Sequence, residues 1–267
     1  MSDKTKHSVL GVMVDSLDYH SATTQIIEAA KAGQRLSVTA LAVHGIMCGV
    51  LDPEQKFRLN HLDIIVPDGQ PVRWALNLLY RTRLSDRVYG PNLMLKVCER
   101  AAEEGLPIYL FGSKSSVLQR LKRNLMTKFP NLRIAGMQPS QFRRLSPVEK
   151  SAIAAEIRES GARIVFVGIG CPRQEVWAYE FQDAIGMPLI AVGAAFAFHA
   201  GEVLQAPTWM QKLGLEWLFR LSVEPSRLWR RYVLLNPLYL FLLTLQVSKL
   251  ARFKSEGRRP TTELLYG

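Results

Sequence analysis

The sequence predicts an α/β fold: a mainly parallel, Rossmann-like sheet layered with helices, followed by a helical C-terminal appendage. Three observations carry this. From about residue 8 to 205, short β-branched runs alternate with amphipathic stretches, the signature of repeated strand–helix units. The amphipathic stretches carry helix start and stop signals. From about residue 207 the strand-like runs stop and only helix-like segments remain.

In order, strands are expected at 9–14, 36–41, 62–66, 108–111, 132–135, 163–167 and 189–192, each a short run dominated by Val, Ile, Leu or Phe. Helices are expected between them at 22–32, 45–59, 72–79, 92–104, 116–129, 147–160 and 175–184. Ser146, Pro147 and Glu149 place an N-cap, a first-turn proline and the third-position acid of a capping box before one of these. Gly105 and Gly161 each stand between a helix and a strand, as glycines that end helices do. Further on, 209–221 and 225–235 read as helices, then 232–247 as an apolar run interrupted by Asn236-Pro237. The domains are accordingly expected at 1–206, an α/β catalytic unit, and at 207–267, a basic and apolar appendage. In parallel sheets ligands bind at the carboxyl ends of the strands, so chemistry is expected in the strand-to-helix loops.

Composition narrows the function. The chain has 267 residues, 48% hydrophobic and 21% charged, an ordinary globular mixture with enough length for a sizeable core. The cysteines, Cys48, Cys98 and Cys171, are odd in number and widely spaced with no C-x-x-C, which argues against a disulfide scaffold or a zinc site and suits a reducing compartment. Residues 1–7 are polar and the next apolar run is too short for a signal peptide, so the protein is expected to stay in the cytoplasm. A net charge of +11 calls for an anionic partner: nucleic acid, a phosphorylated small molecule or a membrane surface. No D-x-D, H-E-x-x-H or Cys/His spacing is found, so no metal and no cofactor are expected. The dinucleotide fingerprint is missing as well, which argues against an NAD enzyme.

Several loops hold candidate residues. Asp68, in Pro67-Asp68-Gly69-Gln70-Pro71, follows a strand and leads into a helix. A carboxylate there can be a general base, a metal ligand or, most plainly, a helix N-cap. Gly168-Ile169-Gly170-Cys171-Pro172-Arg173-Gln174-Glu175 is a glycine-rich loop opening onto a helix, an arrangement that favours phosphate, although it is neither G-x-G-x-x-G nor a P-loop. Phe111-Gly112-Ser113-Lys114 repeats the theme with a lysine, and a plain turn would read the same way. Thr39 and His44 flank the end of one strand; a lone histidine there is more often structural. Arg87 beside Asp86 reads most simply as a surface pair.

Residues 201–267 hold ten Lys/Arg against five Asp/Glu, nearly half the excess charge in a quarter of the chain. Arg220, Arg227, Arg230 and Arg231 recur at helical spacings among Trp209, Trp217, Phe219, Trp229 and Tyr232. This is a solvated basic face or an arginine clamp on a diphosphate. The 232–247 run is shorter than the ~20 residues that span a bilayer. With its basic flank it reads as an element lying in the surface of an anionic leaflet; a buried terminal helix or an oligomer contact is the plainer alternative.

Together Thr39, Pro67-Asp68-Gly69, Asp86 to Leu93, Gly170 to Glu175, Gly193-Ala194-Ala195-Phe196, Ala206 to Trp209, Gly214 to Leu221, Glu224 to Leu228 and Arg230-Arg231-Tyr232 resemble, in order, the motifs of the WecG/TagA/CpsF glycosyltransferases, glycosyltransferase family 26. The resemblance covers about residues 9–240. It implies transfer of a sugar, with inversion and without a metal, from a UDP-sugar to a polyprenyl-diphosphate-linked saccharide in cell-surface polysaccharide synthesis. The enzyme would sit peripherally on the cytoplasmic, anionic inner face of the membrane, and a homo-oligomer is compatible with it. By the resemblance Asp68 matches the catalytic base; Thr39, Arg87 and Gln174 match polar residues of the active-site pocket; Arg220, Arg227 and Arg230 match appendage arginines that hold diphosphates. Asn92 and Gly170, within the quoted motifs, are further substrate-binding candidates. Two positions depart from the family: Leu41 stands where an Asn is common, with His44 the candidate to take its role, and Ala197 stands where an Asp is common. The competing reading is a basic nucleic-acid- or membrane-binding module without catalysis. Against nucleic acid, the basic residues cluster beside an apolar run and form no recognition motif.

Overall fold

The computed structural model describes residues 6–267, apart from the side chains of Arg227 and Arg231. The chain opens with a hairpin, β1 (Lys6–Val9) and β2 (Val12–Asp15), turned through Leu10 and Gly11, both at positive φ as a two-residue hairpin turn requires. Then come α1 (Tyr19–Ala32), β3 (Leu36–Leu41), α2 (Val43–Leu51), α3 (Pro53–Asn60), β4 (Ile64–Pro67), α4 (Gln70–Tyr80), α5 (Gly90–Glu103), β5 (Ile108–Gly112), α6 (Ser115–Lys128), β6 (Ile134–Gln138), α7 (Pro147–Glu159), β7 (Ile164–Gly168), α8 (Arg173–Ile185), β8 (Pro188–Ala191) and α9 (Ala195–His199). Three helices follow, α10 (Thr208–Lys212), α11 (Glu216–Val223) and α12 (Pro225–Val247).

Strands β3 to β8 form one six-stranded parallel sheet in the order β4-β3-β8-β7-β5-β6. Its central strands are apolar on both faces because both are covered. On β7, Ile164 and Phe166 point into a core shared with α1, α5, α6 and α9, while Val165 and Val167 point into a second core with α7 and α8. There Trp177 stacks between Phe111 and Phe181, with ring centroids 4.6 and 4.3 Å away. Removing so large a buried ring costs about 3–5 kcal/mol.

The α/β expectation therefore holds, with local differences. Residues 9–14 form a hairpin rather than one strand. The 45–59 helix is two helices, because Pro53 cannot continue α2 and the Asp52 carboxylate caps α3, accepting from the Glu54 and Gln55 N–H groups. The 209–221 helix is likewise split at Gly214. Conversely, Asn236-Pro237 does not interrupt α12, which runs 23 residues with Pro237 inside it. The capping box of α7 is formed as expected.

Helix α12 is two-faced. Tyr239 is buried and donates to the Pro71 carbonyl, and Leu235, Leu238, Leu242 and Leu243 pack on the core formed by the hairpin, α2 and α4. Val233, Leu234, Leu240 and Phe241 on the other side are exposed. Among the described residues, no helix is long and apolar enough to cross a membrane. Beyond α12 the chain runs back over the α/β unit. The Leu264 and Leu265 N–H groups donate to the buried Glu180 carboxylate, and Gly267 pairs with Phe142 and Arg143.

Candidate active site

The carboxyl ends of β3, β4, β5, β7 and β8 open into a cavity of about 840 Å³, where parallel-sheet logic places a ligand. A second cavity of about 370 Å³ lies between α4, α11 and α12, among Trp74, Trp217, Tyr232 and Leu240. Ala42, His44, Asp68, Glu216 and Arg220 line both, so Asp68 stands where the two meet.

Asp68 is positioned by backbone on both sides. Its own N–H donates to the Leu41 carbonyl at the end of β3. Its Oδ1 accepts from the Gly90 N–H, 2.6 Å away, at the start of α5. The N-cap expectation for the helix that follows it is thus corrected: Gly69 occupies that position, with no side-chain cap. Burial pushes the Asp68 carboxyl up to about 6; Glu216 adds to the rise, while Arg87, the Gly90 N–H and Arg220 oppose it. A carboxylate tuned this way is a competent proton acceptor near neutral pH.

Arg87 is no surface pair with Asp86. It is 7% exposed and donates to Glu216 on α11 at 2.6 Å, while its guanidinium lies 4.2 Å over the Tyr89 ring. The Tyr89 hydroxyl donates to the other Glu216 oxygen at 2.9 Å. Glu216, which sequence reasoning did not single out, thereby ties α11 to the loop that carries Arg87 and Tyr89. Its only sequence signal is its place in the Gly214 to Leu221 motif.

Thr39 faces away from the cavity. Its hydroxyl donates to the buried Glu175 carboxylate at 2.9 Å, and the Gln174 amide donates to the same oxygen at 2.8 Å. Burial raises the Glu175 carboxyl, and the Gln174, Thr39 and Cys171 donors oppose that rise. This unanticipated carboxylate braces Gln174, which does line the cavity. Gly170 lines it too, at φ +82, a backbone conformation that a side chain would strain. His44 and Lys114 also line it.

Asn92 is not brought there: it lies exposed near the start of α5 and hydrogen-bonds Tyr19. Arg173 stacks on Tyr266 instead of facing the cavity. Arg220 and Arg230 reach the cavity from the appendage, Arg220 with its guanidinium 5.8 Å over Phe198. The Arg227 side chain lies outside the described residues. Leu41, though buried, lines the cavity, as does Ala197.

Chemically, the site offers one tuned carboxylate, two appendage arginines, a lysine and the positive end of the α8 dipole facing one space. That set can accept a proton and stabilise a departing diphosphate. It was not expected to contain a metal-ligand cluster. Yet His44, Cys48 and Cys171, scattered in sequence, place their ligand atoms within 4.8 Å of one another. Compared with known proteins, residues 7–253 match the family described as glycosyl transferase WecG/TagA/CpsF.

Proposed function

The chain belongs to the WecG/TagA/CpsF family of glycosyltransferases, and from that premise we propose that it is an inverting transferase moving a sugar from a UDP-sugar to a polyprenyl-diphosphate-linked saccharide. The observation that carries this is the place of Asp68 at the junction of two cavities of different character. The larger, with the glycine-rich loop, Lys114, Arg220 and Arg230, suits a nucleotide diphosphate. The smaller, walled by aromatic and aliphatic side chains beside the exposed face of α12, suits the lipid-linked acceptor.

In the reaction, the Asp68 carboxylate takes the proton of the acceptor hydroxyl. The hydroxyl oxygen attacks the anomeric carbon from the face opposite the leaving group. The bond to the diphosphate breaks and UDP departs with the electron pair, its charge met by Arg220, Arg230 and the start of α8. Arg227 is proposed as a further contact on the strength of the family motif. The Arg87–Glu216–Tyr89 cluster holds the lid formed by α11, and Thr39 with Glu175 holds Gln174. In this reading a Mg²⁺ or Mn²⁺ ion is dispensable, because fixed cations meet the diphosphate.

The unit 207–267 is proposed to bind the inner face of the membrane through the outer side of α12, while 1–206 carries the sheet and the base. Thermal unfolding against a panel of UDP-sugars, followed by transfer assays on a short-chain acceptor in excess EDTA, tests the reading. The expected result is protection by one UDP-sugar and transfer undiminished by EDTA. Lack of protection by any UDP-sugar, or transfer that EDTA abolishes and Mg²⁺ restores, would contradict it.

A further inference from the structure

We propose that His44, Cys48 and Cys171 form a binding site for a thiophilic d¹⁰ cation, zinc(II) foremost, at the edge of the large cavity. The ion is no participant in transfer; it acts as an inhibitor.

The site is assembled from two distant parts of the chain. His44 and Cys48 are four residues apart on α2 and so share one helix face. The Cys48 Sγ lies 3.9 and 3.8 Å from the two His44 ring nitrogens. Cys171 arrives from the loop after β7. It lies over α2 beside Gly45, where an added Cβ would sit 3.4 Å from the Cys171 Sγ, an ordinary contact distance. The three ligand atoms lie within 4.8 Å of one another.

A tetrahedral zinc, with bonds of about 2.3 Å to sulfur and 2.0–2.1 Å to nitrogen, spaces its ligand atoms roughly 3.5–3.8 Å apart. The cluster therefore needs to contract by only about an ångström at its widest, within the reach of side-chain rotation. Two sulfurs and an imidazole select a soft or borderline cation over magnesium or calcium, which take oxygen ligands. All three side chains are partly exposed, so an ion can reach them. Three protein ligands leave a fourth position for a solvent molecule or another exchangeable ligand, as in open zinc sites. His44 and Cys171 line the large cavity, so the ion enters at its wall. Binding converts two thiols to thiolates and releases two protons to solvent. The bound ion ties α2 to the loop that carries Gly170 and Gln174, and turnover falls.

Cobalt(II) serves as the probe, because tetrahedral cobalt–thiolate sites absorb visibly and no substrate is needed. In the reduced, full-length protein stripped of metal, cobalt is expected to bind one to one. It should give a thiolate-to-cobalt charge-transfer band in the near ultraviolet, which one equivalent of zinc then bleaches. Cys48→Ser and Cys171→Ser should each weaken binding at least about tenfold, whereas Cys98→Ala, deep in the other core, should not. No charge-transfer band in the wild-type chain, or a band unchanged in both serine variants, would overturn the site. A second measurement uses the wild-type protein alone: zinc should protect Cys48 and Cys171, read by peptide mass, from alkylation. Unchanged alkylation of both would overturn the site even if the variants failed to fold. Micromolar zinc should also lower transfer in the wild type; full activity with the site shown to be loaded would remove the inhibitory role. The spectral readout stands apart from activity, so it succeeds or fails independently of the transferase reading.

Discussion

At the residue scale the account turns on Asp68, whose carboxyl sits at about 6 because burial disfavours its charge. An acid raised in the folded state keeps its proton between about pH 4 and 6 while the unfolded chain has lost it. Stability therefore falls as pH rises through that window, and the cost is fully present above it. Asp68→Asn keeps an acceptor for the Gly90 N–H and removes the charge. The variant should be more stable than the parent at pH 7.5, on the order of 1–3 kcal/mol, with the difference vanishing below about pH 4. Denaturant midpoints at the two pH values decide this; a less stable variant at pH 7.5 would count against the buried charge. Activity should rise with pH through about 6. Arg87 lowers and Glu216 raises the Asp68 value, so Arg87→Met should move this acid limb up in pH and Glu216→Gln should move it down. A pH–rate profile unmoved by both would mean that another group titrates. Asp68, Gln174 and Arg220 were legible because each sits in a loop or helix motif of local pattern. Glu175 and Glu216 were not, because their roles arise from partners 136 and 129 residues away. Asn92 meets Tyr19 and does not line the cavity, a placement its motif could not give, because a motif gives adjacency in sequence but not the side of the helix.

At the element scale the sheet was legible because a strand buried on both faces must be apolar throughout, as β5 and β7 are. The hairpin was not, since Leu10 gives no turn signal of its own and only Gly11 does. The tail was legible as amphipathic helix but not as part of the core. Gln246 accepts from the Leu10 N–H and donates to the Ser8 carbonyl, and the last residues bond Glu180, Arg143 and Phe142. A cut after 236, which would remove most of the apolar run 232–247, therefore strips core contacts, and loss of folding would follow. Charges on the exposed side of α12 separate the two roles instead. Val233 and Phe241 are 55% and 61% exposed and line neither cavity, so Val233→Glu with Phe241→Glu should leave the melting temperature within a few degrees. The double variant should lose most binding to anionic vesicles, by flotation, while keeping activity on a short-chain soluble acceptor. Flotation equal to the parent's would move the anchor elsewhere. By contrast, Arg87→Ala leaves Glu216 beside Asp68 without its cation. This should cost about 3 kcal/mol and loosen α11, read as earlier protease cleavage near Gly214.

At the scale of the whole molecule, the stretch 207–267 holds both an excess of basic residues and the exposed side chains of Trp209, Trp229, Val233 and Phe241. In the proposed reading these, with the +11 net charge, meet an anionic leaflet. Vesicle binding should weaken from 0.05 to 0.5 M salt as screening removes the attraction of the basic residues. Binding indifferent to salt would leave the apolar side of α12 as the sole contact. Composition and periodicity made the fold class and the charge legible. They could not show that loops far apart in sequence converge on two cavities that share Asp68 and Glu216, because such convergence is a property of the strand order.

That convergence gives the most direct test, a comparison of Asp68→Asn with the parent under one substrate pair. UDP binding is measured by calorimetry, and single-turnover transfer from the UDP-sugar that protects the protein is measured on a short-chain acceptor. The account predicts near-parent affinity for UDP with a transfer rate lower by ~10²–10⁴-fold, the typical loss when a general base is removed. A transfer rate close to the parent's would contradict it.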